Sequence, residues 1–263
     1  FEQSARPLIA LCALVVALAF QVGVNYSNDY SDGIKGTDAD RVGPVRLVGQ
    51  GLATPAAVKK AAFLSFEVGA IAGLVIVALS GLWILVPAGI ACIAAAWFYT
   101  GGKNPYGYLG FGELFVFVFF GLVAVVGTSY SQTGELTLLS LLGGVGCGAL
   151  SVAILVTNNL RDRTKDMVAN KKTLAVRIGD GKTRELYRTC VLVAFSMPVV
   201  MTLISGGPKF AYISLAAMLT ARRPLMAVQN GATGAELIPV LVDTGKLLII
   251  YAGTLCVGIS ASA

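Results

Sequence analysis

Long apolar runs separated by short polar stretches dominate the hydropathy pattern of this chain. Each run approaches the roughly 20 residues that a helix needs to cross the hydrocarbon core of a bilayer. Such runs occur at about residues 7–27, 58–79, 82–99, 112–129, 137–157, 186–205, 208–222 and 241–262. They predict eight spans in an all-α, multi-span transmembrane helical bundle, because a helix satisfies its own backbone hydrogen bonds in lipid. The second run carries Glu67 and the seventh is short, so these two deviate most from an ideal span.

The charged residues lie mainly in the loops, and they divide unevenly between the two sides of the predicted bundle. If consecutive spans run antiparallel, one side carries the loops at 28–57, 100–111, 158–185 and 223–240. Of the 20 Lys and Arg residues, only Arg6 and Lys209 fall on the other side. The positive-inside rule therefore assigns the charge-rich side to the cytoplasm.

Composition supports a protein embedded in a lipid bilayer. The 263 residues are 56% hydrophobic and only 13% charged, and we interpret residues 1–263 as a single integral membrane domain. The net charge of +6 does not indicate a nucleic-acid partner, because topology accounts for basic loops. The absence of histidine excludes imidazole catalysis, and the five cysteines show no Cys-x2-Cys spacing. Any metal in this protein is therefore expected to have oxygen ligands.

An acidic motif follows the apolar run that ends near residue 156. Asn158, Asp162 and Asp166 are spaced four residues apart, so on a continuous helix they project from one face. Mg2+ prefers carboxylate oxygens and takes further ligands from water and substrate phosphates. The surrounding cations are Arg161, Arg163, Lys165, Lys171, Lys172 and Arg177. Acids and bases together indicate a site for a metal-bound polyphosphate.

A second acidic motif, earlier in the chain, repeats this spacing at the end of the first apolar run. Asn25 and Asp29 are again four residues apart, and Asp32 and Asp38 follow. We expect the two acidic helix ends to face each other across a cavity and to hold metal ions between them. The alternative interpretation is that acids at helix ends form solvated ion pairs with neighbouring Lys and Arg residues.

Two loops on the same predicted side add candidate groups. Arg46 ends a loop of turn-forming residues, and Tyr99 and Lys103 flank a Gly-Gly pair that permits close backbone approach to a ligand. Membrane topology alone also explains these residues, since tyrosines and cations are common at headgroup level. Glu113 is a candidate because acids within spans are often functional, unless its helix end extends above the membrane.

Several motifs resemble, in their order, those of the UbiA superfamily of membrane prenyltransferases, and more narrowly those of its menaquinone branch. The similar segments are residues 21–33, 36–38, 41–46, 99–103, 105–108, 112–117, 158–162 and 172–177. Together they extend over nearly the whole chain.

The resemblance implies a helical bundle around a central cavity open to the cytoplasmic side, where two aspartate-rich motifs bind Mg2+ and an isoprenyl diphosphate. The implied metal ligands are Asp29, Asp32, Asp38, Asp162 and Asp166. Which acids of the first motif bind the metal stays open, because Asp29 and Asp32 are three rather than four residues apart. The implied catalytic residues are Asp29, Asp32, Asp162, Asp166, Lys103 and Tyr99. The implied substrate-binding residues are Asn25, Asn28, Arg46, Asn158, Arg161, Lys171, Lys172 and Arg177.

The resemblance also implies a reaction. In the menaquinone branch, a polyprenyl group is transferred in the bacterial inner membrane to 1,4-dihydroxy-2-naphthoate, with loss of CO2, to form demethylmenaquinone. The superfamily has nine transmembrane helices and eight runs are visible here, so the first helix is expected before Phe1. One alternative is another aromatic acceptor, such as a hydroxybenzoate or homogentisate. A different class is an ion-coupled transporter, although its acids should lie near the membrane midplane rather than at helix ends.

Overall fold

The computed structural model describes residues 6–36, 45–204 and 206–262. These ranges are predominantly helical and contain no β-strand. The α-helices are α1 (Pro7–Ile34), α2 (Pro55–Ser80), α3 (Leu85–Phe98), α4 (Gly112–Thr133), α5 (Leu138–Val168), α6 (Leu174–Leu203), α7 (Met218–Gln229) and α8 (Leu237–Ser260). Short 3-10 helices lie at Tyr106–Leu109, Ala211–Ala217 and Gly234–Glu236.

Six helical segments in the described part of the chain are long and apolar enough to cross a membrane. They are α1, α2, α4, α5, α6 and α8 with its preceding 3-10 turn. The predicted all-α, multi-pass membrane protein is thereby confirmed. The other two predicted spans form shorter segments. Helix α3 has 14 residues, and the run at 208–222 divides into the 3-10 helix Ala211–Ala217 and α7, which contains Pro224.

One compact unit, here called the N-terminal unit, comprises Ser4–Leu109 and Gly127–Gly134. Within it α1 packs along α2 because small residues let aromatic rings approach the backbone. A Cβ added at Gly23 would lie 2.6 Å from Cε1 of Phe66. Phe66 also contacts Phe20 edge to face, with ring centroids 5.7 Å apart. Another face of α1 exposes apolar side chains that suit contact with lipid, namely Leu8, Leu11, Leu14 and Leu18.

The C-terminal unit contains Gly110–Val126 and Glu135–Ala263. Helices α4 and α5 approach closely at Gly121 and Gly148, where a Cβ added to Gly121 would lie 2.5 Å from the Cα of Gly148. Such contacts between small residues are typical of helix packing in membranes. The core includes Tyr251, whose hydroxyl donates to the backbone oxygen of Ala194 at 2.9 Å. A buried phenol therefore keeps a hydrogen-bond partner inside the apolar core.

Three local features place the polar residues. Helix α1 continues to Ile34 and α5 continues to Val168, so Asn25, Asp29 and Asp32 lie within α1 and the second acidic motif lies within α5. Helix α6 is interrupted at Gly179, whose φ of 82° is accessible to glycine at little cost. Within α4, residues Phe117–Val126 form a π-helix directly after the turn that carries Glu113.

Candidate active site

Asp29, near the end of α1, binds the backbone of Leu47 and Val48 through its side chain. Its side chain is buried, and both carboxylate oxygens accept backbone hydrogen bonds. The N–H of Leu47 donates to Oδ2 at 2.8 Å, and the N–H of Val48 donates to Oδ1 at 3.1 Å. Neutral backbone donors thus hold this carboxylate in a fixed orientation at the end of α1.

Asp32 lies one turn further along α1 and accepts a hydrogen bond from the hydroxyl of Tyr108. The Nζ of Lys35 lies 4.8 Å from the ring centroid of Tyr108 and donates to the backbone oxygen of Thr100 at 2.6 Å. The Thr100 hydroxyl in turn donates to Oδ1 of Asn28 at 2.9 Å. A polar network therefore joins the end of α1 to the loop after α3.

The sequence did not single out Lys35, Thr100 or the hydroxyl of Tyr108 as functional groups. The signal for Lys35 was its position three residues after Asp32, near the C-terminal end of a helix, where a cation is favourable. No comparable signal existed for Thr100 and Tyr108, because their contacts to α1 cross more than 70 residues of sequence.

Two of the remaining candidates near the end of α1 contact the same stretch of backbone. Nδ2 of Asn25 donates to the backbone oxygen of Gln21 at 2.9 Å, so this amide is hydrogen-bonded within its own helix. Nη1 of Arg46 lies 3.5 Å from the backbone oxygen of Asn25. Asp38, the third acid of the predicted first motif, lies outside the described residues.

The loop after α3 folds onto itself through its tyrosines. The ring of Tyr99 contacts that of Tyr106 at a centroid distance of 5.4 Å, and the N–H of Gly107 donates to the backbone oxygen of Tyr99 at 3.0 Å. The Tyr106 hydroxyl donates to the backbone oxygen of Ala95 at 2.7 Å, and burial raises the pKa of Tyr106. Lys103 is exposed, so its ammonium group remains accessible to an anion.

In the second acidic motif, Arg161 binds two neighbours on its own helix. Its Nε and Nη2 donate to Oδ1 and Oδ2 of Asp162 at 2.8 and 2.7 Å, and Nη2 also donates to Oδ1 of Asn158 at 2.7 Å. The Arg161 side chain is only 1% exposed. Its Nη1 is buried without a hydrogen-bond partner in the described part of the chain. This nitrogen is a cationic donor available to an anionic ligand.

The end of the second motif is joined to the start of α6. The Thr173 hydroxyl donates to Oδ2 of Asp166 at 3.3 Å, and the backbone N–H of Lys171 donates to the Asp166 backbone oxygen at 2.8 Å. Lys171 is buried, whereas Lys172 and Arg177 are exposed. Nε of Arg177 donates to the backbone oxygen of Lys172 at 3.1 Å. These contacts bring the predicted cations of residues 171–177 to the turn that follows Asp166.

The acidic residues fit a magnesium ion by donor chemistry. Among residues 6–36, 45–204 and 206–262, no group of three or more His, Cys, Asp or Glu side chains could hold a metal by itself. Mg2+ does not need such a group, since one or two carboxylates and substrate phosphates suffice. Each carboxylate oxygen has two lone pairs, so one that accepts a single hydrogen bond can still bind a cation. The expectation that the two motifs face each other stays a prediction.

Comparison with known proteins identifies the family. Residues 2–236 match the model of the UbiA prenyltransferase family. The chain belongs to this family. It is 53% identical over 243 residues to the 1,4-dihydroxy-2-naphthoate octaprenyltransferase of Mycobacterium tuberculosis, covering 92% of this chain and 82% of that protein. It is 48% identical to the enzyme of the same name from Mycobacterium leprae, and the alignment covers 92% of this chain and 81% of that protein.

A solved structure shows the same fold. The structure of a UbiA homologue from Archaeoglobus fulgidus bound to DMAPP and Mg2+ aligns with a TM-score of 0.67 at 12% identity, covering 99% of this chain and 90% of that one. The predicted family, fold class and enzyme class are thus confirmed, and the protein is a membrane prenyltransferase. The ion-coupled transporter considered from the sequence is not supported, because the matched family consists of prenyltransferases.

Proposed function

We propose that this protein is a Mg2+-dependent 1,4-dihydroxy-2-naphthoate polyprenyltransferase. It transfers a polyprenyl group from an isoprenyl diphosphate to the naphthoate, releases pyrophosphate and CO2, and forms demethylmenaquinol, the reduced form of demethylmenaquinone. The observation that carries the proposal is the 53% identity, over 92% of the chain, to a relative named for this acceptor. Both names among the relatives specify an octaprenyl group, so long isoprenoids are the expected donors.

Mg2+ would be held by Asp29 and Asp32 in the first motif and by Asp162 and Asp166 in the second. The bound ion neutralises the negative charge that develops on the leaving pyrophosphate. Support comes from the carboxylate oxygens of the two motifs and from the structural neighbour, which was solved with Mg2+ and DMAPP, an isoprenyl diphosphate. The hydrogen bonds that Asp29 receives from Leu47 and Val48 fix the orientation of its carboxylate before any ligand arrives.

The cations of the chain bind the phosphate oxygens that the metal leaves uncovered. Nη1 of Arg161 is suited to this role because it is buried and lacks a partner within the described ranges. The other cations proposed for the diphosphate are Arg46, Lys103, Lys171, Lys172 and Arg177. Preorganised donors of this kind stabilise charge that develops in the transition state without a cost for reorienting solvent.

The reaction needs no side-chain nucleophile, which agrees with a chain that contains no histidine. The bond between the allylic carbon of the prenyl group and the pyrophosphate oxygen breaks, and its electron pair leaves with the pyrophosphate. The ring carbon that bears the carboxylate then forms a bond to the allylic carbon. The carboxylate departs as CO2, and the electron pair of its carbon–carbon bond restores the aromatic ring. The side chains that contact the bound diphosphate hold it in place and exclude water, which would otherwise capture the allylic cation.

We propose a location in the bacterial inner membrane with the active site facing the cytoplasm. The support is the distribution of charge, since 13 of the 20 Lys and Arg residues fall in the loops of one predicted side and only Arg6 and Lys209 fall on the other. Both substrates suit this location, because the isoprenoid partitions into lipid and the ionised naphthoate reaches the site from water.

One assay tests the proposed function. Purified protein in lipid nanodiscs is incubated with Mg2+, the dihydroxynaphthoate and a series of isoprenyl diphosphates, and products are identified by mass spectrometry. Parallel reactions contain hydroxybenzoate or homogentisate, and a control contains EDTA. We expect a prenylated dihydroxynaphthalene that has lost its carboxylate group, and we expect it to form only when Mg2+ is present. Prenylation of another ring in preference to the naphthoate, or no prenylation at all, would contradict the proposal.

A further inference from the structure

Glu113 and Asn159 form a buried polar pair in the C-terminal unit that the diphosphate chemistry does not use. Nδ2 of Asn159 donates to Oε1 of Glu113 at 2.9 Å, and both residues are less than 10% exposed. Oε2 of Glu113 is buried and has no hydrogen-bond partner among the described residues. Because an unsatisfied buried oxygen is costly, such an atom in a membrane span points to a ligand that supplies the missing donor.

Glu113 lines a cavity of about 290 Å3 whose other walls are mostly apolar. The lining includes Leu114 and Phe117 from α4, Val152 from α5 and Val193 from α6. Small-molecule pockets span roughly 300–1,000 Å3, so this cavity lies just below the lower end of that range. It therefore suits one flat ring system with a hydroxyl group better than a long polyprenyl chain.

The position of the pair along the chain connects it to the proposed reaction. Asn159 lies within the second acidic motif, three residues before Asp162 on α5, which corresponds to roughly 4.5 Å along a helix axis. Glu113 lies in the first turn of α4, directly before the π-helix Phe117–Val126. π-helical turns inside α-helices are frequent at functional sites.

We propose that Glu113 binds the aromatic acceptor and that its Oε2 accepts a hydrogen bond from a ring hydroxyl. Asn159 fixes the carboxyl group by donating to Oε1, and the apolar walls contact the ring faces. This inference rests on the proposed function. The acceptor's own carboxylate offers no donor to Oε2, so the hydroxyl at position 4, remote from that carboxylate, is the partner of Glu113. The hydrogen bond also increases electron density in the ring, which favours attack by the ring carbon.

The variant Glu113→Gln tests this role with little change in shape. Glutamine can still accept the hydrogen bond from Asn159, but it places an NH2 donor where Oε2 accepted one. We expect the KM for the naphthoate to rise roughly 10- to 100-fold, as for a lost hydrogen bond that leaves buried polar groups unpaired, while the KM for the isoprenyl diphosphate stays unchanged. The matched control is Glu185→Gln, because the Glu185 side chain is 68% exposed on α6. It should leave both constants unchanged.

An acceptor analogue gives a second readout that needs no variant to fold. 1-Hydroxy-2-naphthoate lacks the hydroxyl at position 4, and its binding without prenyl donor is followed by its fluorescence. We expect the wild type and Glu113→Gln to bind 1-hydroxy-2-naphthoate with similarly weak affinity. Only the wild type should bind the dihydroxynaphthoate tightly. Equal affinity of the wild type for both compounds, an unchanged naphthoate KM in the variant, or an equal rise in both KM values would overturn the inference.

This binding measurement also separates the inference from the proposed function. If the wild type prenylates a different hydroxylated ring, the proposed function fails, and the same comparison made with that ring decides the role of Glu113. If the wild type binds the dihydroxynaphthoate no better than the variant does, the inference fails even where naphthoate prenylation is observed.

Discussion

The two acidic motifs share the same Asn-x3-Asp spacing, but the chain supports them in different ways. In the first motif, Asp29 is held by backbone groups 18 and 19 residues away, and Asp32 is held by Tyr108, 76 residues away. In the second, Asp162 is held by Arg161, the residue directly before it on the same helix. The first motif is thus assembled by tertiary structure, whereas the second is largely built within one helix.

The electrostatic consequences differ as well. Asp29 accepts hydrogen bonds from neutral backbone N–H groups, and Asp32 accepts one from the neutral hydroxyl of Tyr108. Asp162 is paired with a guanidinium, which retains one unpartnered nitrogen within the described residues. We therefore expect the first motif mainly to attract the cation, and the second to contact both the cation and the phosphate.

The largest expected effect is a difference in thermal stability between the variants Asp162→Asn and Asp29→Asn. Both variants should lose turnover, but Asp162→Asn also leaves the buried Arg161 charge unpaired, which costs about 3–5 kcal/mol. Asp29→Asn leaves one backbone N–H without an acceptor, which costs about 1–3 kcal/mol. Thermal unfolding in detergent should therefore show the lower midpoint for Asp162→Asn. The control is Asp180→Asn, because Asp180 forms a more exposed ion pair with Arg184. Equal destabilisation by the first two variants would contradict the contrast between the motifs.

An intermediate effect is expected from Tyr108→Phe, which removes only the hydroxyl that donates to Asp32. Loss of a group that orients a metal ligand typically lowers metal affinity roughly 10- to 100-fold. The Mg2+ concentration that gives half-maximal rate should rise accordingly, with little change in the maximal rate at saturating Mg2+. Tyr212→Phe is the matched control, since Tyr212 is 51% exposed. A Mg2+ dependence identical to that of the wild type would show that Tyr108 does not support Asp32 functionally.

The smallest effect is expected from Thr173→Val, which removes the hydroxyl donor to Asp166. The hydrogen bond from Thr173 to Asp166 is 3.3 Å long, which exceeds the usual range for an O–H···O hydrogen bond. We therefore expect less than a tenfold rise in the Mg2+ concentration that gives half-maximal rate. Thr254→Val provides the control, because the hydroxyl of Thr254 bonds within its own helix. If Thr173→Val were more harmful than Tyr108→Phe, the second motif would depend on tertiary contacts more than the structure indicates.

The same contrast explains how much of the site could be predicted from sequence. Helix periodicity placed Asn158, Asp162 and Asp166 on one helix, because spacing of four residues is a local property. The partners of the first motif, Thr100 and Tyr108, come from a loop more than 70 residues away, and no short-range pattern encodes such contacts. The Arg161–Asp162 pair was also missed, since adjacent residues on a helix do not normally face each other.

The long helices of the fold could be predicted from the sequence, whereas the lengths of two shorter helical segments could not. Apolar runs gave the long helices correctly, since lipid favours continuous apolar segments. Hydropathy overestimated the runs at 82–99 and 208–222 because it counts apolar residues and ignores what ends a helix. Helix α3 begins only at Leu85, after the turn that follows α2, and α7 contains Arg222, Arg223 and Pro224.

The central claim is that acids of both motifs bind the same Mg2+-loaded diphosphate. The most direct test measures the Kd of an unreactive isoprenyl thiodiphosphate, with and without Mg2+, for the wild type and for the double variants Asp29→Asn/Asp32→Asn and Asp162→Asn/Asp166→Asn. We predict that each double variant loses the Mg2+-dependent part of the affinity. Wild-type Mg2+-dependent binding by either double variant, with the variant folded, would contradict the claim.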